Sequence, residues 1–306
     1  MGKTVRICVP ATVANLGSGF DCLGMAVTLY NKLEVERTAE GITVRVAGEG
    51  EQELPEDETN LVARAFLAAC KRLGVRAPAA RIACRNEIPL ARGLGSSAAA
   101  IVGGIAAAEA LYAKSLSPEE RLELAAELEG HADNVAAAFY GGLVIVPSGL
   151  PRARCLRFDS PHLQRLSVVL AIPEFSVPTA EARAVLPQAV PLADAVFAAS
   201  RVATLLAALH SGDLRWLREG TDDRLHQPYR EQLIPGGAQV RQAALDAGAL
   251  ASFVSGAGPT IAALCAGDAQ AVGEAMVGAF SRAGQRARYE VVSVDSRGAR
   301  IVEQEA

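Results

Sequence analysis

Alternation of apolar and polar residues predicts β-strands along the chain. In TVRICVP, Val5, Ile7 and Val9 fall on one face, and the run ends at Pro10. KLEVERT and GITVRVAG alternate in the same way on either side of a glycine turn, and ARIACRNEIP predicts another strand. Further strands are predicted by GLVIVP, RLSVVLAIP and ARYEVVSVD, and LASFVSGAGPTIAALCAG predicts two strands around a glycine turn.

Apolar residues at helical spacing predict helices between these strands. TNLVARAFLAACKRLG has this spacing, and an alanine-rich helix is predicted from about Ser97 to Lys114. In SPEERLELAAELEG, Ser117, Pro118 and Glu120 fit an N-cap, a first-turn proline and a capping-box glutamate. Other helices are predicted in HADNVAAAFYGG, at about 179–186, 191–210, 213–219 and 237–247, and in DAQAVGEAMVGAFSRAG.

This mixed order of strands and helices indicates an α+β protein. The chain has 306 residues, which suffices for two domains of ordinary size. The polar, proline-containing stretch PSGLPRARCLRFDSPHLQ separates its two halves. We therefore predict one domain over 1–160 and a second over 161–306.

Composition and charge argue against several classes of protein. A net charge of −4 lacks the basic field of a nucleic-acid-binding protein, so we expect no nucleic-acid partner. The N-terminus MGKTVRICVP lacks the apolar core of a signal peptide, and we expect no membrane span. The six cysteines form no C-x-x-C pair, as is usual in a reducing cytoplasm. The chain is thus predicted to be cytoplasmic, and its oligomeric state, a homodimer included, is left open.

The stretch PLARGLGSSAAA, from Pro89 to Ala100, connects a predicted strand to a predicted helix. Glycines let a backbone approach phosphate closely, and the first N–H groups of a helix attract anions. A Walker A loop is excluded because the stretch has no lysine. Gly93, Gly95 and Ala98 fit a dinucleotide fingerprint, but the acidic residue expected about 20 residues later is missing. The loop alone leaves a phosphate site and a structural glycine turn as alternatives.

Two further segments accompany this loop, VPATVANLGSGFDCLGMAV (9–27) and VSGAGPTIAAL (254–264). In this order, the three segments resemble the superfamily of galactokinase, homoserine kinase, mevalonate kinase and phosphomevalonate kinase (GHMP kinases). PATVANLGSGFDCLG and EGHADN are similar to motifs of bacterial homoserine kinases. The resemblance covers essentially the whole chain. It implies a ribosomal-S5-domain-2-like N-terminal domain that binds ATP and a ferredoxin-like C-terminal domain, with the active site between them.

The resemblance also implies an activity, the transfer of the γ-phosphate of ATP to the hydroxyl of L-homoserine. The product, O-phospho-L-homoserine, belongs to threonine biosynthesis from aspartate. ATP binding is then expected at the loop residues Pro89, Leu90, Ala91, Arg92, Gly93, Leu94, Gly95, Ser96, Ser97, Ala98 and Ala99. The C-terminal glycine loop comprises Ser255, Gly256, Ala257 and Gly258.

Homoserine is a zwitterion with a terminal hydroxyl, so its site needs both charges and polar groups. Arginines suit its carboxylate because they donate two parallel hydrogen bonds. If GHADN is helical, His131 and Asn134 share a face. The resemblance implies that Asn15, Asp21 and Asn134 act in catalysis, and that His131, Asp133, Thr179, Arg183 and Arg230 bind the substrate. Arg224 and His226 are further candidates nearby.

Magnesium prefers hard oxygen ligands, and the resemblance implies that it accompanies ATP. Ser97 is one candidate ligand, and AELEGH offers Glu127 and Glu129, of which Glu129 fits the motif better. Mevalonate-type relatives pair a catalytic aspartate with a lysine near the first motif, whereas ATVANLGSGFD contains no lysine. We therefore expect transfer without a dedicated base, and Asp21 is the candidate if one operates.

Two other functions fit parts of the pattern. A kinase of the same fold could phosphorylate a mevalonate-like or sugar alcohol, and a non-catalytic sensor of small molecules could keep the fold. Arg183, Arg230 and His131 favour an acceptor with a carboxylate, and the intact loop favours a kinase.

Overall fold

The structure is a computed structural model that describes residues 3–76, 78–150 and 153–305. Its first half forms a large sheet covered by helices. The elements are β1 (Thr4–Ala14), β2 (Leu23–Arg37), β3 (Ile42–Gly48), α1 (Leu61–Arg72), β4 (Ala80–Asn86), α2 (Ser96–Tyr112), α3 (Pro118–Glu129), α4 (Asp133–Tyr140), β5 (Leu143–Ile145) and β6 (Leu156–Phe158).

The second half of the chain forms a smaller sheet with its own helices, and its last strand joins the larger sheet. Its elements are β7 (Ser167–Pro173), α5 (Thr179–Ala184), α6 (Leu192–Ser211), α7 (Leu217–Gly220), α8 (Gln227–Arg230), α9 (Gly237–Asp246), β8 (Ala251–Val254), β9 (Ile261–Cys265), α10 (Ala269–Arg282), β10 (Ala287–Ser293) and β11 (Arg300–Glu305). Single 3₁₀ turns occur at Leu163–Arg165, Leu214–Trp216 and Glu231–Leu233.

The larger sheet has the strand order β11-β1-β2-β4-β3, and β5 pairs with β2 and with β6. The predicted strands on either side of the glycine turn, β2 and β3, do not pair with each other. Helix α1 carries the chain across the sheet instead, and β3 pairs in parallel with β4, which lies against β2. Helix α3 begins as its sequence predicts, with a capping box between Ser117 and Glu120.

The smaller sheet has the order β10-β7-β9-β8, and its neighbouring strands are antiparallel. Two crossovers and a hairpin give the β-α-β-β-α-β order of a ferredoxin-like fold. The unbroken apolar run in β7 reflects burial of both of its faces. Val168 and Leu170 lie in a core shared with the larger sheet, whereas Val169 and Ala171 pack in a second core with α9 and α10.

The end of the chain returns to the larger sheet, where β11 pairs with β1. The buried carboxylate of Asp295 fastens this return, because it accepts hydrogen bonds from the hydroxyl of Tyr30 and the N–H of Gly298, both at 2.7 Å. The predicted domain boundary at residue 160 stays a prediction. The last strand of the chain, β11, lies beside the first strand, β1, in the larger sheet.

One helix of the described residues, α6, is long and apolar enough to cross a membrane. A single helix of this kind is weak support for a span, because a core helix passes the same test. Leu205 and Leu209 of α6 are fully buried in the core, whereas Leu192 and Val196 are exposed. The expected absence of a membrane partner stays a prediction.

Candidate functional site

A cavity of about 350 Å³ brings the predicted site residues together. Its wall includes the loop from Leu90 to Ser97, the first motif, the EGHADN segment, α5, α8 and the second glycine loop. The predicted residues that line it are Asn15, Asp21, Leu90, Ala91, Arg92, Gly93, Leu94, Gly95, Ser96, Ser97, Ala99, Glu129, His131, Asp133, Asn134, Thr179, Arg183, Arg230, Gly256 and Ala257. Pro89, Ala98, Glu127, Ser255 and Gly258 are not part of this lining.

The loop between β4 and α2 depends on two glycines. Gly95, with φ +69°, is the N-cap of α2, and a Cβ there would lie 1.9 Å from Oγ1 of Thr12. Gly93, with φ +72°, would place a Cβ 2.2 Å from the carbonyl oxygen of Ser255. No side chain caps the first N–H groups of α2 in the described structure. These N–H groups and the positive end of the helix dipole therefore remain available to an anion.

Arg92 contributes a positive charge to this loop, but its side chain is held by the backbone. Nε donates to the carbonyl of Pro173 at 3.0 Å, Nη1 donates to that of Leu90 at 3.0 Å, and Nη2 donates to that of Glu174. Burial lowers the pKa of Arg92. This arginine thus ties the loop to the end of β7.

The structure separates the two glutamates that the sequence leaves open. Oγ of Ser97 donates to Oε1 of Glu129 at 2.6 Å, and the Glu129 side chain is only 8% exposed. Glu127 instead pairs with Arg72 at 2.9 Å on the surface. Burial raises the pKa of Glu129, and the hydrogen bond from Ser97 and the charge of His131, whose Nε2 lies 3.9 Å from Oε1, offset part of this shift.

Ser97 and Glu129 supply two adjacent hard oxygens beside the loop, which fits a magnesium ion shared with phosphates and water. No group of three His, Cys, Asp or Glu that could hold a metal unaided occurs in the described part of the chain. A site of this kind would therefore depend on the nucleotide for its remaining ligands.

His131, Asp133 and Asn134 form one connected cluster. Nδ1 of His131 donates to Oδ1 of Asp133 at 2.6 Å, and the N–H of Asn134 donates to the same oxygen at 2.8 Å. The expected common helical face is wrong, because α4 begins at Asp133 and His131 lies in the preceding turn. The carboxylate of Asp133 brings the two side chains together instead.

The charges around His131 set its protonation. Burial alone lowers the pKa of His131, but the hydrogen bond and charge of Asp133, together with the charge of Glu129, raise it above the ordinary value.

Asn134 is oriented from its other side by Thr12, whose hydroxyl donates to Oδ1 of Asn134 at 2.6 Å. Thr12 is fully buried and was not among the predicted site residues.

Arg183 is one of the arginines that line the same cavity as this cluster. Arg183, on α5, donates from Nη1 and Nη2 to the two oxygens of Asp21, each at 3.0 Å. Thr179 opens the same helix but does not cap it, since Pro178 holds the N-cap position. The pair of Asp21 and Arg183 is half exposed, so both charges can be reached by a small ligand.

Arg230 is buried at 2% exposure, and its hydrogen bonds go to uncharged acceptors. It donates from Nε to the carbonyl of Ala182 at 3.2 Å and from Nη1 to that of Gly256 at 2.8 Å and to Nδ1 of His226 at 3.2 Å. Burial and the charge of Arg183 lower the pKa of Arg230 to about 10. A buried cation without a carboxylate partner among the described residues marks a place for an anion.

Asn15 connects two of the motifs. Nδ2 of Asn15 donates to the carbonyl of Gly256 at 2.9 Å, and Oδ1 accepts from the N–H of Asp21 at 3.0 Å. Both contacts go to backbone groups, so this side chain fixes the two loops that carry Asp21 and Gly256. Its predicted part in aiming the hydroxyl stays a prediction.

The residues at the apolar end of the cavity were not predicted from the sequence. Single apolar residues from β2, β3, β4, α1 and the segment between β3 and α1 form this end with a few amides, and no local motif marks them. They are Asn31, Leu33, Val46, Leu54, Asn60, Leu61, Val62, Cys84 and Asn86.

Phe20 was not predicted either, and the sequence leaves Arg224 and His226 as further candidates. The Phe20 ring stacks on His226, with centroids 5.1 Å apart, and contacts Arg183 and Arg230. Arg224 turns away from the cavity and pairs with Asp194 at 3.2 Å.

Comparison with known proteins places this site in a family. The family "GHMP kinases N terminal domain" matches residues 60–142, and "GHMP kinases C terminal" matches residues 205–282. Homoserine kinase of Moorella thermoacetica is 45% identical over 294 residues, which cover 96% of this chain and 98% of that protein. The chain belongs to the homoserine kinase family of the GHMP kinases. The family resemblance and the fold class predicted from the sequence are thereby confirmed, and the protein is an ATP-dependent kinase.

Two further family members agree with this assignment. Homoserine kinase of Gloeobacter violaceus is 47% identical over 279 residues, covering 90% of this chain and 92% of that protein. The crystal structure of homoserine kinase from Cytophaga hutchinsonii superposes with a TM-score of 0.89 at 33% identity, covering 98% of this chain and 97% of that one. The family therefore extends over both sheets.

The close approach of Gly93 to Ser255 yields a prediction. Gly93→Ala should raise the KM for ATP by about tenfold or more and cost about 2–3 kcal/mol of unfolding free energy, because its Cβ displaces one loop from the other. The measurements are steady-state kinetics and urea unfolding.

Gly74→Ala is the matched control, because Gly74 has φ +64° but no atom within 4 Å of an added Cβ. It should cost only the backbone strain of about 1 kcal/mol and leave the KM for ATP unchanged. Equal effects of the two substitutions would contradict a role for the loop contact.

Proposed function

We propose that this kinase transfers the γ-phosphate of ATP to the hydroxyl of L-homoserine. The observation that carries the proposal is Arg230, buried beside Arg183 and hydrogen-bonded only to uncharged acceptors. A substrate carboxylate supplies the missing anion. The homoserine kinases of the same family support the choice of acceptor. The reaction belongs to the cytoplasm, where ATP is available.

ATP then lies in the part of the cavity between its apolar end and the loop from Gly93 to Ser97. The apolar end, with Leu33, Val46 and Val62, suits the flat face of the adenine base. The phosphates lie against the loop from Gly93 to Ser97, where N–H groups at the start of α2 stabilise negative charge. Since this loop has no lysine, the backbone and the helix end provide that stabilisation.

Magnesium completes the phosphate end. When bound, it offsets the charge of the β- and γ-phosphates. Ser97 and Glu129 would hold it, and Glu127 would not, because it is paired with Arg72.

Homoserine occupies the end lined by the two arginines. Its carboxylate contacts Arg183 and Arg230, and its ammonium group is attracted by Asp21, which Arg183 holds in the free protein. Thr179 and the cluster of His131 and Asp133 enclose the rest of the amino acid. The hydroxyl then lies beside Asn134, which Thr12 orients next to the phosphate loop.

Transfer requires mainly that the hydroxyl and the γ-phosphate are held in line, since the transition state is loose. Both oxygens of Asp21 are engaged by Arg183, which leaves them poorly placed to remove a proton. We therefore propose that no dedicated base operates and that the hydroxyl proton passes to a phosphate oxygen.

The first prediction for this site concerns Arg183. Arg183→Ala should raise the KM for homoserine about 30–100-fold, which is roughly 2–3 kcal/mol, and leave the KM for ATP nearly unchanged. Homoserine-dependent ADP release measures both constants. Arg215→Ala is the matched control, because Arg215 is 87% exposed on the surface, and it should behave like the wild type.

The same assay tests the acceptor. With mevalonate or galactose as the acceptor, the enzyme should release no ADP above background. Neither compound carries the ammonium group, and galactose also has no carboxylate. Release of ADP with either one, but not with homoserine, would refute the proposed acceptor.

The second prediction concerns Asp21. Asp21→Asn should weaken homoserine binding about tenfold or more, because the ammonium group loses its anion. At saturating homoserine, single-turnover transfer should fall only a few-fold. A loss of about 100-fold or more at saturation would instead indicate that Asp21 acts as a base.

A further inference from the structure

His226 lies at the start of α8, one helical turn before Arg230. It is fully buried, and its ring contacts Gly17 and Phe20 of the first motif. Nε2 lies 2.7 Å from the carbonyl oxygen of Gly17, and Nδ1 lies 3.2 Å from Nη1 of Arg230. The ring therefore connects a loop of the larger sheet to the arginine of the substrate site.

These two contacts determine the tautomer. A guanidinium has only donors, so Nδ1 of His226 must accept from Arg230. A carbonyl oxygen only accepts, so Nε2 must carry the hydrogen that it donates to Gly17. Both hydrogen bonds exist together only in the neutral ring with its proton on Nε2. Burial supports this state, because it lowers the pKa of His226 to about 4.

Asp223 does not compete for the ring. Its Oδ2 lies 3.6 Å from Nε2 of His226 but accepts from the N–H groups of His226 and Gln227, at 2.9 and 2.8 Å. Its Oδ1 accepts from the N–H of Leu225 at 2.9 Å. The carboxylate thus holds the start of α8 in place and leaves the ring proton to Gly17.

Phe20 fixes the same guanidinium from another side. Its ring stacks on His226 at an interplanar angle of 23° and lies 5.2 Å from Cζ of Arg230. Cζ of Arg183 lies 5.9 Å from the same ring. Contact with an aromatic face limits the orientations that a guanidinium plane can adopt.

We propose that His226 is a positioning residue, which uses the lone pair of Nδ1 to orient Arg230 toward the substrate carboxylate, with Phe20 as the supporting surface. The inference rests on the proposed role of Arg230 in binding homoserine. Without this acceptor, the guanidinium of Arg230 keeps only the carbonyls of Ala182 and Gly256, and its orientation is held less firmly. Homoserine binding then weakens, while ATP binding, which does not use Arg230, is retained.

Two isosteric substitutions separate the contacts of the ring. The side chain of His226→Asn reaches the position of Nδ1 and can accept from Arg230, whereas that of His226→Gln reaches the position of Nε2 and can donate to Gly17. We expect His226→Asn to keep the KM for homoserine within about threefold of the wild type and His226→Gln to raise it about tenfold or more. The KM for ATP and kcat should change little in both.

A purely structural role predicts a different result, namely that both variants lose thermal stability and activity in parallel. Equal homoserine KM values in the two variants, or an unchanged value in His226→Gln, would overturn the proposal. Phe20→Leu should also raise the homoserine KM several-fold without changing the KM for ATP.

The tautomer can be measured in the wild-type protein, which avoids variants that fail to fold. Nitrogen-15 NMR of the histidine rings should show His226 neutral, with its proton on Nε2, between about pH 6 and 8. A proton on Nδ1 or a charged ring would overturn the proposal. If the wild type releases no ADP with homoserine, the proposed function fails, whereas the tautomer is decided independently by NMR.

Discussion

The carbonyl oxygen of Gly256 accepts hydrogen bonds from Asn15 and from Arg230, at 2.9 and 2.8 Å. These residues come from three regions of the chain, and Gly93 of the phosphate loop packs against the same turn without room for a Cβ. Because a backbone carbonyl moves only with its loop, the contacts at Gly256 fix the distances between the loop around Gly93, the first motif and Arg230, for which we propose substrate binding. Phosphoryl transfer depends on that distance more than on any single reactive group.

The charges at the proposed substrate end of the cavity follow from the same geometry. Arg183 has a carboxylate partner in Asp21, whereas Arg230 has only uncharged acceptors, although it is the more buried of the two. A buried cation without an anion is costly, and the fold tolerates this cost through the carbonyls of Ala182 and Gly256 and the ring of His226. The carboxylate of the proposed substrate would remove this cost, because it supplies the anion that Arg230 lacks.

Much of this could be predicted from the sequence, because the decisive residues lie in contiguous motifs. The loop around Gly93 and Gly95, the predicted helix that carries Thr179 and Arg183, and the capping box of α3 are visible locally. The pairing of β3 with β4 is not, because alternation marks a strand but not its neighbours. Likewise, Phe20, Thr12 and the residues of the apolar cavity end are ordinary residue types, and the structure alone brings them together. The tautomer of His226 depends on Gly17, which is 209 residues away in the chain.

The most direct measurement compares two acceptors in the wild-type protein, L-homoserine and 3-aminopropan-1-ol, which has the same hydroxyl and amine but no carboxylate. If Arg183 and Arg230 bind the carboxylate, kcat/KM for homoserine should exceed that for the amino alcohol by about 1,000-fold, or roughly 4 kcal/mol. The preference should largely disappear in an Arg183→Ala, Arg230→Ala double variant. Values within about tenfold of each other in the wild type would contradict a carboxylate site between the two arginines.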